Sequence, residues 1–149
     1  LALLVNILGG PSANSLLNIE LREKRGLSYN VEATYTPYSD CGIVGIYFSS
    51  DHENSDRCRE IIAAEIKKLQ TTALTPRQLS MAKRQFIAQL AIVNEAAEGY
   101  MMGVGKSLLA YGEVDTLEES YRKINAVTAS EIMEVANEVW AKPSVLLYR

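Results

Sequence analysis

The sequence predicts an α+β fold, a mostly antiparallel sheet covered by helices. Three observations carry this. The elements run helix, helix, strand, strand, several helices and a last strand, which is not the alternation of a parallel α/β sheet. The first two strands are joined by the short run Pro37-Tyr-Ser-Asp-Cys-Gly42, so they form an antiparallel hairpin. Three Thr-led capping boxes, each followed by apolar positions at helical spacing, mark the second half as helical.

Taken in order, residues 1–8 read as a helix ended by Gly9-Gly10-Pro11. Ser12 is placed to cap a second helix, which carries Leu16, Leu17 and Leu21 and ends at Gly26. Gly26 suits the left-handed residue that closes a helix, and Leu27 can fold back on Leu21. Arg22, Lys24 and Arg25 crowd the last turn, where the carbonyl end favours cations. From residue 27 the period becomes two, giving a strand over about 27–37 with Tyr29, Val31, Ala33 and Tyr35 on one face.

The second strand covers about 42–50. Ile43, Val44, Ile46, Tyr47 and Phe48 leave neither face polar, so it is expected to be central and covered on both sides. A helix follows Asn54-Ser55-Asp56, with Cys58, Ile61, Ile62, Ile66 and Leu69 at helical spacing. Thr75, Pro76 and Gln78 start a long helix, and Leu74 can staple to Leu79. Residues 96–111 form another helical stretch ended by Gly112. Thr116 with Glu119, then Thr128 with Glu131, start two more. The last ends before Pro143, and Ser144 to Tyr148 reads as a final strand.

With 149 residues, 48% of them hydrophobic and no repeat or linker, this is one domain over 1–149. The helical pattern already running at Leu1 and the apolar run at the far end make it read as a piece of a longer protein. Three strands are too few for a fully buried one, so the sheet is expected to lack at least one strand supplied by sequence outside this stretch. The net charge of −3 offers no basic footprint, which argues against nucleic acid. No apolar run reaches the length of a membrane helix. Cys41, in a predicted strand, and Cys58, in a predicted helix, read as two small buried hydrophobes. The compartment stays open, with the cytoplasm favoured and a removed leader compatible with the sequence.

The chemistry has few candidates. His52 is the only histidine and lies in a polar loop, so any Ser-His-Asp or Cys-His arrangement would have to use it as its only base, and none is plausible. Neither cysteine has zinc-site spacing, and no residue is assigned to a metal or cofactor. Gly9-Gly10-Pro11 lacks the Lys-Ser/Thr of a phosphate loop. Gly99-Tyr-Met-Met-Gly-Val-Gly105 is better explained by a helix packed closely on a neighbour than by a cofactor. What remains is Arg22 on a helix end and Tyr29 at a strand start, seven residues apart, a cation and a phenol able to converge on one small volume.

The run Ile7-Leu8-Gly9-Gly10-Pro11-Ser12 leading to Leu21-Arg-Glu-Lys-Arg-Gly-Leu-Ser-Tyr29 resembles the C-terminal half-domain of the pitrilysin/insulinase zinc peptidases, which include the mitochondrial processing peptidases. It is similar to that family's "iLGGG…SSRL…ElREkrGLaY" signature. Leu74-Thr-Pro-Arg-Gln-Leu79 and Val127-Thr-Ala-Ser-Glu131 fit as well, so the resemblance spans essentially the whole chain. Pro11-Ser-Ala-Asn replaces the more usual Gly-Met-Ser-Ser, and the inverted His-x-x-Glu-His zinc motif is absent.

The resemblance implies a metallohydrolase-like half-domain of the processing-peptidase type. Zinc is then expected in a complementary half, in the same parent chain or a partner subunit. It implies catalytic roles for Arg22 and Tyr29, peptide as the substrate, and no activity from this chain alone. The runner-up is a catalytically silent scaffold or partner subunit with the same fold; a small-molecule-binding module is a weaker third. Apolar surface left by a missing half makes a homodimer of the fragment an expectation.

Overall fold

The computed structural model describes residues 1–148. Helix α1 (Ala2–Gly9) comes first, and six of its eight residues are buried. Leu4 and Leu8 reach full burial beside Leu17, Leu21 and Cys58, which together form the centre of the core. Strands β1 (Asn30–Pro37) and β2 (Gly42–Ser49) form the predicted antiparallel hairpin, in register from Asn30 opposite Ser49 to Pro37 opposite Gly42. Helix α2 (Ser55–Thr71) turns Cys58, Ile62 and Leu69 inward. Helix α6 (Ala129–Val139) lies against it and buries Ile132 and Ala136. Asn137 Nδ2 donates to the Gln70 carbonyl at 2.9 Å across that seam.

Between α2 and α6 come α3 (Pro76–Glu95), α4 (Ala97–Tyr111) and α5 (Leu117–Ala126). The capping boxes of α3, α5 and α6 form as the sequence predicts, each with Thr accepting from the third backbone N–H and Gln78, Glu119 or Glu131 reaching back. Gly112 closes α4 at φ +73°. Among the described residues no helix is long and apolar enough to cross a membrane.

The α+β class holds, but six local expectations do not. The segment over residues 11–26 is not an ordinary α-helix. Its body, Asn18–Glu23, is wound as a π-helix, and Lys24 N–H reaches back five residues to the Ile19 carbonyl. The Ser12 side chain caps nothing there; its carbonyl receives the Ser15 N–H instead. Residues 144–148 are not a strand: they pair with neither β1 nor β2, the two strands of the sheet among the described residues. β2 is therefore an edge strand, with Ile43 and Tyr47 exposed rather than covered. Cys41 lies in the hairpin turn and is exposed; Cys58 alone is buried. In α4, a Cβ on Gly99 would come within 2.8 Å of the Val93 carbonyl, but Gly103 and Gly105 face open space. Close packing thus explains one of those three glycines.

One close approach sets the relation of α1 to the sheet. A Cβ on Gly9 would sit 2.7 Å from the Ala33 nitrogen. Only a residue without a side chain lets the end of α1 rest on the β1 backbone at that distance.

Candidate functional site

The helix-to-strand junction is built from local constraints. Leu17 and Leu21 anchor the π-helix in the core. Gly26 takes φ +58°, its N–H donates to the Arg22 carbonyl at 2.9 Å, and the Leu27 N–H reaches the Leu21 carbonyl at 2.8 Å. That last bond spans six residues, one more than the usual left-handed closure of an α-helix, as the wider winding requires. Leu27 is half-buried against the core beside Leu21, which is the fold-back expected from the sequence.

The three basic residues of the junction have different fates. Glu20 accepts from Lys24 Nζ at 2.5 Å and from Arg25 Nη1, and Arg25 also donates to the Glu20 carbonyl at 2.7 Å. These bonds, Arg25 first and Lys24 second, hold the Glu20 carboxyl down at about 2 against a reference of 4.5. Arg22 is left outside this cluster. Its side chain is 60% exposed and its nearest acidic neighbour is Glu23, at 3.9 Å. A pair so long and so exposed contributes little, so the guanidinium is available to a ligand.

Tyr29 sits immediately before β1. The buried Ser28 hydroxyl bonds the Asn30 and Ser49 carbonyls at 2.8 and 2.9 Å, and the Tyr29 N–H donates to Ser49 at 3.0 Å. The start of β1 is thereby clipped to the end of β2, while the Tyr29 ring remains 74% exposed. Its hydroxyl donates to Asp51 Oδ1 at 3.4 Å, a long bond that a better acceptor would displace. Asp51 was not foreseen from the sequence; it follows β2 in a polar loop, and nothing in its spacing marks it as a partner of Tyr29.

The structure places Arg22 and Tyr29 at the two sides of one exposed junction, with no hydrogen bond between their side chains. Neither lines the cavity bounded by Leu90, Tyr100 and Lys123, or the one between β2, α2 and residues 143–146. His52 is in a short exposed turn, and among the described residues no group of three or more His, Cys, Asp or Glu side chains is placed to hold a metal ion. The donor set does not fit zinc.

An α+β fold that carries an exposed cation and an exposed phenol on a helix–strand junction is the class the fold and site define. The model of the peptidase M16 inactive domain matches residues 1–86, and the chain belongs to that family. It is 29% identical over 146 residues to the uncharacterized zinc protease YmxG of Bacillus subtilis, an alignment covering 98% of this chain and 36% of that protein. Its fold is that of the peptidase M16 inactive domain from Pseudomonas fluorescens, with TM-score 0.76 and 26% identity over 92% of this chain and 32% of that one. A chain of complex III2 from Candida albicans shares the fold at TM-score 0.79 and 18% identity, over 92% of this chain and 34% of the other. The chain spans about a third of the length of the curated relatives it matches.

Proposed function

We propose that this domain is the non-zinc half of a zinc metalloendopeptidase, and that Arg22 and Tyr29 are its contribution to an active site completed by a zinc-binding half. The observation that carries this is the sorting of charges at the junction. Glu20 takes up Lys24 and Arg25, while Arg22 and the Tyr29 phenol are both left facing solvent, one at each end of the junction.

That pair suits peptide hydrolysis. Addition of water to a peptide bond builds negative charge on the carbonyl oxygen, and a neutral O–H aimed at that oxygen stabilises it. The Tyr29 phenol is such a donor. The Arg22 guanidinium, with its fork of N–H groups, can hold neighbouring peptide carbonyls and keep the scissile bond in place. The resemblance assigns zinc to the complementary half, whether in the same parent chain or in a partner subunit.

The test uses the complete parent protein. Tyr29→Phe is expected to lower peptide turnover on the order of 100- to 1,000-fold with zinc content unchanged. Turnover equal to wild type would remove Tyr29 from the chemistry. A catalytically silent scaffold is the second reading, since the fold is shared with a chain of complex III2 from Candida albicans. No hydrolysis by wild-type parent protein across varied peptides would move the assignment to it.

A further inference from the structure

The sequence puts three cations, Arg22, Lys24 and Arg25, close together on one exposed junction. Left free, such a cluster would draw in a run of acidic side chains by charge alone. The structure does not leave it free. Glu20, whose side chain is 13% exposed, holds Lys24 Nζ at 2.5 Å with one carboxylate oxygen and Arg25 Nη1 with the other. On the neighbouring helix α2, Lys68 is bonded in the same way by Glu65, whose side chain is 6% exposed. Of these four cations, Arg22 alone has no short bond to an acid, only the 3.9 Å approach of Glu23.

The winding decides which cations Glu20 reaches. In an α-helix, side chains four positions apart share a face. Here the Lys24 N–H bonds five residues back, to Ile19, so the position five after Glu20 comes round over it as well. Glu20 therefore holds both Lys24 and Arg25, and the Arg25 guanidinium is fixed further by its 2.7 Å bond to the Glu20 carbonyl. Arg22, two positions on from Glu20, does not share its face and stays 60% exposed. The bonds from Arg25 and Lys24 hold the Glu20 pKa at about 2, so the clamp stays charged throughout the neutral range.

We propose that Glu20 is a specificity-determining residue of the junction: by engaging Lys24 and Arg25 it leaves one working cation, and so restricts the site to peptide segments that bring backbone carbonyls or a single carboxylate to Arg22, not an acidic run. The inference rests on the reading of the junction as a peptide site and gives that site its substrate class, peptides of low local acidity. Glu20 touches no substrate and acts through the cations it holds. Glu23, exposed beside Arg22, works in the same direction by repelling a second carboxylate.

The test measures binding of two fluorescent peptides to the complete parent protein by anisotropy, one with a run of aspartates and one with asparagines in their place. Wild type is expected to bind both within about 2-fold, and Glu20→Gln to bind the aspartate peptide about 3- to 10-fold more tightly than the asparagine one. That preference should vanish at about 1 M salt, where charges are screened beyond roughly 3 Å. Adding Lys24→Gln and Arg25→Gln to Glu20→Gln should return the ratio to that of wild type, which a mere loosening of the segment would not do. Should Glu20→Gln fail to fold, Lys24→Gln with Arg25→Gln reads the same clamp from the other side: the bared Glu20 carboxylate should weaken the aspartate peptide about 3- to 10-fold against the asparagine one. A ratio unmoved by these changes would overturn the proposal. So would a wild type that already prefers the aspartate peptide, or binding of neither peptide by any of the proteins. The expected ratios without hydrolysis of any peptide would strike the peptidase reading and leave the role of Glu20 standing.

Discussion

The first seventy or so residues and the arm formed by α3, α4 and α5 are both rich in apolar residues, yet they use them differently. In α1, six of eight residues are buried; in α3, α4 and α5 none is. The arm is tied down by both kinds of link: Leu79, Ala82 and Phe86 of α3 pack half-buried on the core, while Asn6 bonds Gln89 at 2.7 Å and Asn14 bonds Gln85 at 2.8 Å. Meanwhile Tyr100, Met101, Leu108, Leu109 and Tyr111 of α4 stay exposed. Hydrophobicity in the one region is mostly core; in the other much of it is surface. Stability thus resides where side chains interlock, so equal deletions in the two regions should have unequal costs.

The widest contrast is Leu8→Ala, expected to cost about 2–5 kcal/mol because it opens a cavity in a fully buried position. Gly9→Ala probes the α1–β1 contact from the other direction, and forcing a methyl against the Ala33 backbone should cost about 1–3 kcal/mol. Thr75→Ala removes the α3 cap and should cost about 1 kcal/mol. Glu20 contributes less than about 1 kcal/mol, because its cations are solvent-facing. Its folded pKa lies below 4.5, so that contribution is complete above about 4.5 and is lost as the pH falls toward about 2. Glu20→Gln should flatten the acid side of the stability profile in that window. Leu109→Ala, at a residue 91% exposed, should stay within about 0.5 kcal/mol of wild type. Urea midpoints for the series settle the order. A Leu109 effect as large as that of Leu8 would break the comparison, and a Thr75 effect near zero would show that the arm is held by packing alone.

What was legible in the sequence was what short-range chemistry determines. The boxes Thr75/Gln78, Thr116/Glu119 and Thr128/Glu131 each close within four residues, and all three formed. The hairpin and the left-handed Gly26 were readable for the same reason. The segment 144–148 was not, because a strand is defined by a neighbour far away in the chain, and its composition is the same whether paired or bare. The burial expected of Cys41 failed similarly, since a turn and a strand start differ by one residue. At the junction, Arg22 and Tyr29 could be picked out by type and spacing, whereas the tying of Lys24 and Arg25 to Glu20 and the Tyr29–Asp51 bond depend on how the chain is wound.

That winding has its own consequence. An α-helix advances about 100° around its axis per residue, so one residue more or fewer re-aims everything downstream. The π-helix of Asn18–Glu23 absorbs an additional residue within a segment whose two ends are already anchored, by Leu17 on one side and the Gly26 closure on the other. It therefore acts as a phase adjustment: the compass bearing of Arg22 is decided by a count of residues and not by their identities. Deleting one exposed position from the segment would keep Arg22 and Tyr29 in the chain and still point the guanidinium elsewhere.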